Sequence, residues 1–353
     1  ADAAWGESQG PVAPNALPQR SKITSDIIDA IASKIEAGGK VALLLEHHGV
    51  SPEALANASK ISAKTGCRLF TGTFPARVDG GPGNPEVERL PYFPEQVLQT
   101  LTGLDQLVLV GGEPPASFFA YRGIPGQLVP EGCKVSRLTQ NEEDAVDALS
   151  RLADRLGAAA ETVKTFERRA TPRPTGPLDT KSIIQAVAAT MPAGLIVATD
   201  SGGGNAAHAY CQNAESNSWL SLTGGAIGQG GPVATGAALA CPDRPVLAML
   251  GDGGAAYTNQ SFWTQARENL NVTTLIFANH SYNILNVEYA RLGVKEVGEI
   301  AASLFDIGNP ELDWVAMAKG FGVQGAHARD AEDLCRLLEE SYKTPGPFVI
   351  QAR

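Results

Sequence analysis

One stretch constrains this chain more than any other: Val246 to Leu285, VLAMLGDGGAAYTNQSFWTQARENLNVTTLIFANHSYNIL. Val246 to Leu250 is an apolar run that stops at Gly251-Asp252-Gly253, and Thr273 to Ala278 is a second, β-branched run that stops at Asn279. Between them Phe262, Trp263, Ala266 and Leu270 recur at near-helical spacing. The pattern predicts strand, glycine turn, helix, strand. A right-handed crossover makes the two strands parallel and brings both carboxyl ends to one edge of a sheet. Asp252 and Asn279 then sit about 5 Å apart if the strands are neighbours, near enough for a carboxylate and an amide oxygen to share a hard cation such as Mg2+. Gly251, Gly253 and Gly254 leave the turn bare. A diphosphate can therefore approach the backbone N–H groups where the next helix begins, around Ala255.

Length and composition set the frame for this unit. At 353 residues, 43% apolar and 19% charged, the chain is expected to form about two soluble globular domains. No apolar run is long enough to span a membrane. A net charge of −10, without clustered Lys and Arg, argues against a nucleic-acid partner. The five cysteines are scattered without CxxC spacing, which reads as reduced thiols in a cytoplasmic protein. The N-terminus shows no signal peptide, and Ala1 reads as a cut rather than a natural start.

Residues 1–22, rich in Pro, Gly, Ala and Ser, read as a linker or a strap over another domain, with Trp5 as its only large anchor. A helix capped by Thr24 or Ser25 is expected to bury Ile27, Ile28, Ile31 and Ile35, followed by a strand from Val41 to Leu45. Ser51-Pro52-Glu53 starts a further helix that Gly66 stops before a strand from Arg68 to Thr71. Phe74 to Pro94 reads as a surface excursion. Strands at Leu107 to Val110 and Val135 to Leu138 and a helix from Glu142 to Leu156 complete a parallel, doubly wound unit over 23–158. His47 and His48 follow its first strand, at the sheet edge where ligands bind in such folds, and read as a solvated loop pair rather than a ligand contact.

Residues 159–177, ending in TPRPTGP, form a Pro-rich linker to a second α/β unit over 178–353. There, a helix around Thr180 to Thr190 and a strand from Leu195 to Thr199 run into Asp200-Ser201-Gly202-Gly203-Gly204-Asn205, which repeats the phosphate-cradle logic of the first glycine turn. A third glycine-rich turn, Thr223 to Pro232, opens a helix of small residues. Tyr282 to Leu292 reads as a short helix over the site, with Tyr282, Asn283 and Leu285 as candidate pocket residues. A helix from Ala331 to Tyr342 and a strand from Phe348 to Ala352 close the chain.

GDG followed 27 positions after its Asp by the Asn of a neighbouring strand end resembles the signature of thiamine diphosphate enzymes. The likeness extends over the whole chain, to the central and diphosphate-binding domains of the group that includes acetolactate synthases, benzoylformate decarboxylase and pyruvate decarboxylase. It implies that Asp252, Asn279 and the carbonyl of Ser281 hold Mg2+, and that Gly202, Gly203, Gly204, Asn205, Gly251, Gly253, Gly254, Ala255 and Tyr282 surround thiamine diphosphate. It also implies that the Gly225 carbonyl meets the aminopyrimidine and that Ile227 wedges the two cofactor rings into a V, with Ile227 a partly core side chain. The metal turn departs from the common Asn-Asn pair, since this chain has Ala278-Asn279-His280, but Asn279 keeps the spacing.

The resemblance further implies a homo-oligomer, dimer or tetramer, acting on a small 2-oxo acid by decarboxylation or carboligation. It implies an N-terminal pyrimidine-binding domain, absent here and supplied in cis or by a separate chain, without which this chain is expected to be inactive. No GxGxxG fingerprint supports a flavin (FAD) in the first unit. LNVEYARLG stands where acetolactate synthases keep a Gln-Trp pair, which turns the resemblance toward benzoylformate decarboxylase and the acetolactate-synthase-like proteins. The alternative from another class is a catalytically silent cofactor-binding or assembly module.

Overall fold

The computed structural model describes residues 5–353 other than 9 and 17, with the side chains at 202 and 205 also outside the description. Strands β1 (Val41–Leu45), β2 (Arg68–Thr71), β3 (Val78–Gly80), β4 (Glu88–Arg89), β5 (Gln106–Val110) and β6 (Lys134–Thr139) come first along the chain. All but β3 form a parallel sheet in the order β4-β2-β1-β5-β6. Helices Ser25–Glu36, Pro52–Thr65 and Ala145–Arg155 cover one face through Ile28, Ile31, Leu55, Ile61, Leu149 and Leu152. Leu101, Leu104 and Leu128 cover the other face, against Phe70, Leu107 and Leu109. Local signals set these helices: Ser51 accepts the Ala54 N–H, Gly66 ends its helix at φ +75°, and Asp144 caps two N–H groups.

The later strands are β7 (Leu195–Thr199), β8 (Asn217–Leu220), β9 (Val246–Gly251), β10 (Val272–Phe277), β11 (Gln324–Ala328) and β12 (Phe348–Ala352). They build a sheet of order β11-β12-β10-β9-β7-β8-β3, parallel except for β3. Two buried clusters, one on each face, make this sheet doubly wound as well. The chain steps from β7 outward to β8 and returns on the opposite side of β7 with β9. That reversal opens a crevice at the carboxyl ends of β7 and β9, where ligands bind in such folds.

Phe74 to Pro94 is not a plain surface excursion: Val78, Asp79 and Gly80 pair antiparallel with Trp219, Ser218 and Asn217, so the first part of the chain adds an edge strand to the second sheet. Residues 159–177 do not form a free linker either, because Phe166 donates its N–H to the Asn84 carbonyl and accepts the Gly83 N–H, and Arg169 donates its N–H to the Asn213 carbonyl. Trp5 is 89% exposed and packs on nothing among the described residues. Ile27 and Trp263 fall outside the apolar stripes assigned to them: each helix buries one face against its sheet and turns these side chains to the other, and Trp263 stacks on Arg267 at the surface. Val135 is exposed because β6 is an edge strand. Neither Thr24 nor Ser25 caps by its side chain, and the Ser25 hydroxyl accepts from Arg151.

Candidate functional site

The glycine turns converge at the β7/β9 crevice. Strands β9 and β10 are direct parallel neighbours with Gly251 opposite Phe277, so Asp252 and Asn279 leave adjacent strand ends on the same edge. Asp252 opens the one-turn helix Asp252–Ala255 and is 3% exposed. Its Oδ1 accepts the Gly253 N–H at 2.9 Å and its Oδ2 accepts the His280 N–H at 2.7 Å. Burial pushes this carboxyl up, and the two N–H bonds and the nearby His280 pull it back. Among the described residues no Lys or Arg pairs with it. A buried carboxylate held by backbone dipoles alone has unused lone pairs and an uncompensated charge, which suits a bound cation.

Asn279 is exposed at the rim, and its Oδ1 accepts the Ser281 N–H at 3.1 Å. His280 between them stands at φ +54°, a left-handed conformation that turns the chain so that Asn279 and Ser281 share one loop. Tyr282 is the N-cap of the helix Asn283–Arg291, and a Cβ at Gly253 would lie 2.4 Å from its ring, so the glycine is needed for the aromatic side chain to lie across the turn. Asn283 and Leu285 lie in the first turn of that helix and are exposed. Among the described residues no group of three His, Cys, Asp or Glu side chains could hold a metal; the donors gathered here are a carboxylate, an amide and carbonyls, the oxygen set that Mg2+ takes.

The helix Gly202–Cys211 begins after β7 and brings Gly203 and Gly204 to the same edge. A Cβ at Gly204 would meet Thr199 Oγ1 at 2.1 Å, so only a bare backbone fits there. Gly202 and Asn205 belong to this helix, but their side chains lie outside the described residues. Gly225 ends the short turn Thr223–Gly225 at φ +69°, with the Phe118 ring of the β5–β6 connection packed against it. Ile227 is 53% exposed, which corrects the expectation of a partly core side chain: the positive φ of Gly225 and Gly228 lifts the turn away from the sheet.

Asp200, read only as the start of a glycine run, organises this turn. Its Oδ2 accepts the Gly228 and Gly230 N–H groups at 3.0 and 3.2 Å, while its Oδ1 is buried without a partner. Burial pushes its carboxyl up as well. An Asp at a strand end ahead of glycines was the available signal, but its partners lie about 30 positions further on. Elsewhere, His48 accepts the Ala145 N–H at 3.3 Å through Nδ1, so it is a helix-start contact rather than a solvated loop residue.

Residues 200–352 match the family described as thiamine pyrophosphate enzyme, C-terminal TPP binding domain. Over 353 residues the chain is 39% identical to the Mycobacterium tuberculosis protein named "Putative acetolactate synthase large subunit IlvX", covering 99% of this chain and 68% of that protein. Benzoylformate decarboxylase of Pseudomonas aeruginosa is 30% identical over 314 residues, 84% of this chain and 54% of the enzyme. The solved structure of a Rhodococcus jostii thiamine diphosphate-dependent 4-hydroxybenzoylformate decarboxylase has the same fold, with a TM-score of 0.75 at 22% identity over 96% of this chain and 66% of that one. The chain thus spans between about half and two thirds of the length of these relatives. No helix among the described residues is long and apolar enough to cross a membrane. With the glycine turns, Asp252 and Asn279 meeting at one crevice and these likenesses extending over nearly the whole chain, the protein belongs to the thiamine diphosphate-dependent enzymes of the acetolactate synthase and benzoylformate decarboxylase group.

Proposed function

We propose that this chain forms the metal- and diphosphate-holding part of a Mg2+-dependent enzyme that acts on 2-oxo acids, by decarboxylation with or without carboligation. The observation that carries the reading is the buried Asp252 carboxylate, held by backbone N–H groups alone beside Asn279. Asp252, Asn279 and the Ser281 carbonyl would hold Mg2+, and the backbone of residues 202–205 and 251–255 would cradle the diphosphate. Thiamine diphosphate, when bound, supplies the electron sink for breaking the bond between the carboxylate and carbonyl carbons of a 2-oxo acid. Among the chain's own residues, Gly225 would offer its carbonyl to the aminopyrimidine, Ile227 would pack against the two cofactor rings, and Tyr282, Asn283 and Leu285 would border the substrate. Residues 23–158 serve as the central domain and 178–353 as the cofactor domain of a cytoplasmic homo-oligomer.

The test is carbon dioxide release from pyruvate and from benzoylformate by the full-length protein, with and without thiamine diphosphate and Mg2+. Release that depends on both is the expected result. Tight cofactor binding without turnover of any 2-oxo acid would favour a silent cofactor-binding module instead.

A further inference from the structure

The helix Asn283–Arg291 has no fully buried residue; Tyr289 packs on Phe305 with ring centres 5.2 Å apart, and the helix is tied at both of its ends. At the N-terminal end Tyr282 lies across Gly253 and donates its N–H to the Phe305 carbonyl at 2.9 Å, while Asn286 Nδ2 donates to Ser281 Oγ at 3.3 Å. At the other end, the Arg291 guanidinium carbon lies 4.2 Å from the Phe93 ring centre and 4.5 Å from that of Tyr121, layered between the two. Nη1 and Nη2 donate to the two oxygens of Glu95, the second at 3.0 Å, and Tyr121 OH donates to Glu288 Oε1 at 3.1 Å. The Arg291 side chain is 19% exposed, and Phe93, Glu95 and Tyr121 all belong to the first sheet's side of the molecule.

We propose that Arg291 is a positioning residue that locks this helix onto the first sheet's side, so that ligand occupancy at Asp252, Asn279 and Ser281 and the docking of the two units strengthen one another. For the identity of the ligand this rests on the function proposed above. A helix of this length is a strut of about 13 Å, with the candidate metal loop at its start and the aromatic sandwich at its end. A planar guanidinium suits the site, since it stacks on both rings and meets the Glu95 carboxylate two-pronged, which an ammonium cannot do. Any preference of the ligand for the locked arrangement is matched by an equal preference of the lock for the liganded loop.

The test compares the full-length wild type with Arg291→Gln, Arg291→Lys and Glu95→Gln, all checked for folding by circular dichroism. Hydrogen exchange without ligand should quicken in both 283–291 and 94–101 in Arg291→Gln. Affinity for thiamine diphosphate with Mg2+ should fall on the order of fivefold or more, with Arg291→Lys and Glu95→Gln in between. Unchanged exchange at 94–101 would overturn the lock, and loosened exchange with wild-type cofactor affinity would overturn the coupling. A wild type that binds no thiamine diphosphate would count against the function proposed above and against the coupling, whereas quickened exchange at 94–101 still upholds the lock.

Discussion

The carboxylate of Asp252 and the backbone N–H of His280 are joined by a 2.7 Å hydrogen bond that ties the glycine turn after β9 to the loop after β10. Because His280 makes it from φ +54°, a conformation costing an L-residue about 1 to 2 kcal/mol, the loop carries local strain. His280→Gly should therefore leave stability within about 1 kcal/mol of wild type, whereas His280→Val, β-branched and least tolerant of this φ, should lose about 1 to 2 kcal/mol. Urea midpoints at unchanged slope check this. Equal midpoints for the two variants would mean that the backbone relaxes out of the left-handed region.

Gly81 tests the strand that crosses between the two sheets. It stands at φ +90°, and a Cβ there would lie 2.3 Å from the Glu215 carbonyl oxygen, a backbone atom that cannot swing aside. Gly81→Ala should cost about 1 to 3 kcal/mol and expose the β3–β8 pairing to hydrogen exchange. Wild-type protection of Trp219 and Asn217 amides would show that β3 adds nothing to the second sheet.

His208 gives the chain an acid-sensitive spot. Its ring is buried, contacts Gln212 at 2.7 Å and stands edge-on to Trp219 at 5.3 Å. Burial, helped by the charge of Arg89, holds its pKa down to about 3. The folded state keeps it neutral while the unfolded chain takes up a proton below about 6.5. The unfolded state thus binds more protons between about 6.5 and 3, and stability falls as pH drops through that window. His208→Gln should flatten the dependence by up to about 1.4 kcal/mol per pH unit. Denaturant titrations at several pH values measure the slope, and identical slopes would mean that the site opens to water.

How much of this was legible beforehand depends on how local the cause is. Ser51-Pro52, Gly66 and the strands Val246–Gly251 and Val272–Phe277 form what their sequence dictates, because caps, φ preferences and side-chain period act within a few residues. Strand β3 was illegible: Val78–Gly80 is three residues long, contains Asp and Gly, and finds Ser218 139 positions away. Asp200 and Phe118 were missed for the same reason, since their roles come from turns that follow or lie across the cleft. Ile227 and Trp263 show the converse limit, because an apolar residue's burial is decided by what packs over it.

The exposure of Ile227 makes its role separable from folding. Truncating a side chain that is 53% exposed should change stability by no more than about 0.5 kcal/mol. Ile227→Ala in the full-length protein should nonetheless slow exchange of the C2 proton of bound thiamine diphosphate, read by NMR at matched cofactor occupancy. Wild-type exchange would assign Ile227 to the surface alone.

Whether Asp252 holds the metal is tested most directly by calorimetric titration of thiamine diphosphate into the full-length protein, with Mg2+ and with a chelator. Asp252→Asn keeps the shape and one acceptor for the Gly253 or His280 N–H but removes the charge. If Asp252 holds the metal, wild type binds only with Mg2+, and the variant loses on the order of a hundredfold in affinity while its stability falls by no more than the roughly 1 to 3 kcal/mol of one unpaired backbone N–H. Binding that survives the chelator, or a variant as tight as wild type, would contradict the account and leave Asp252 as the cap of a tight turn.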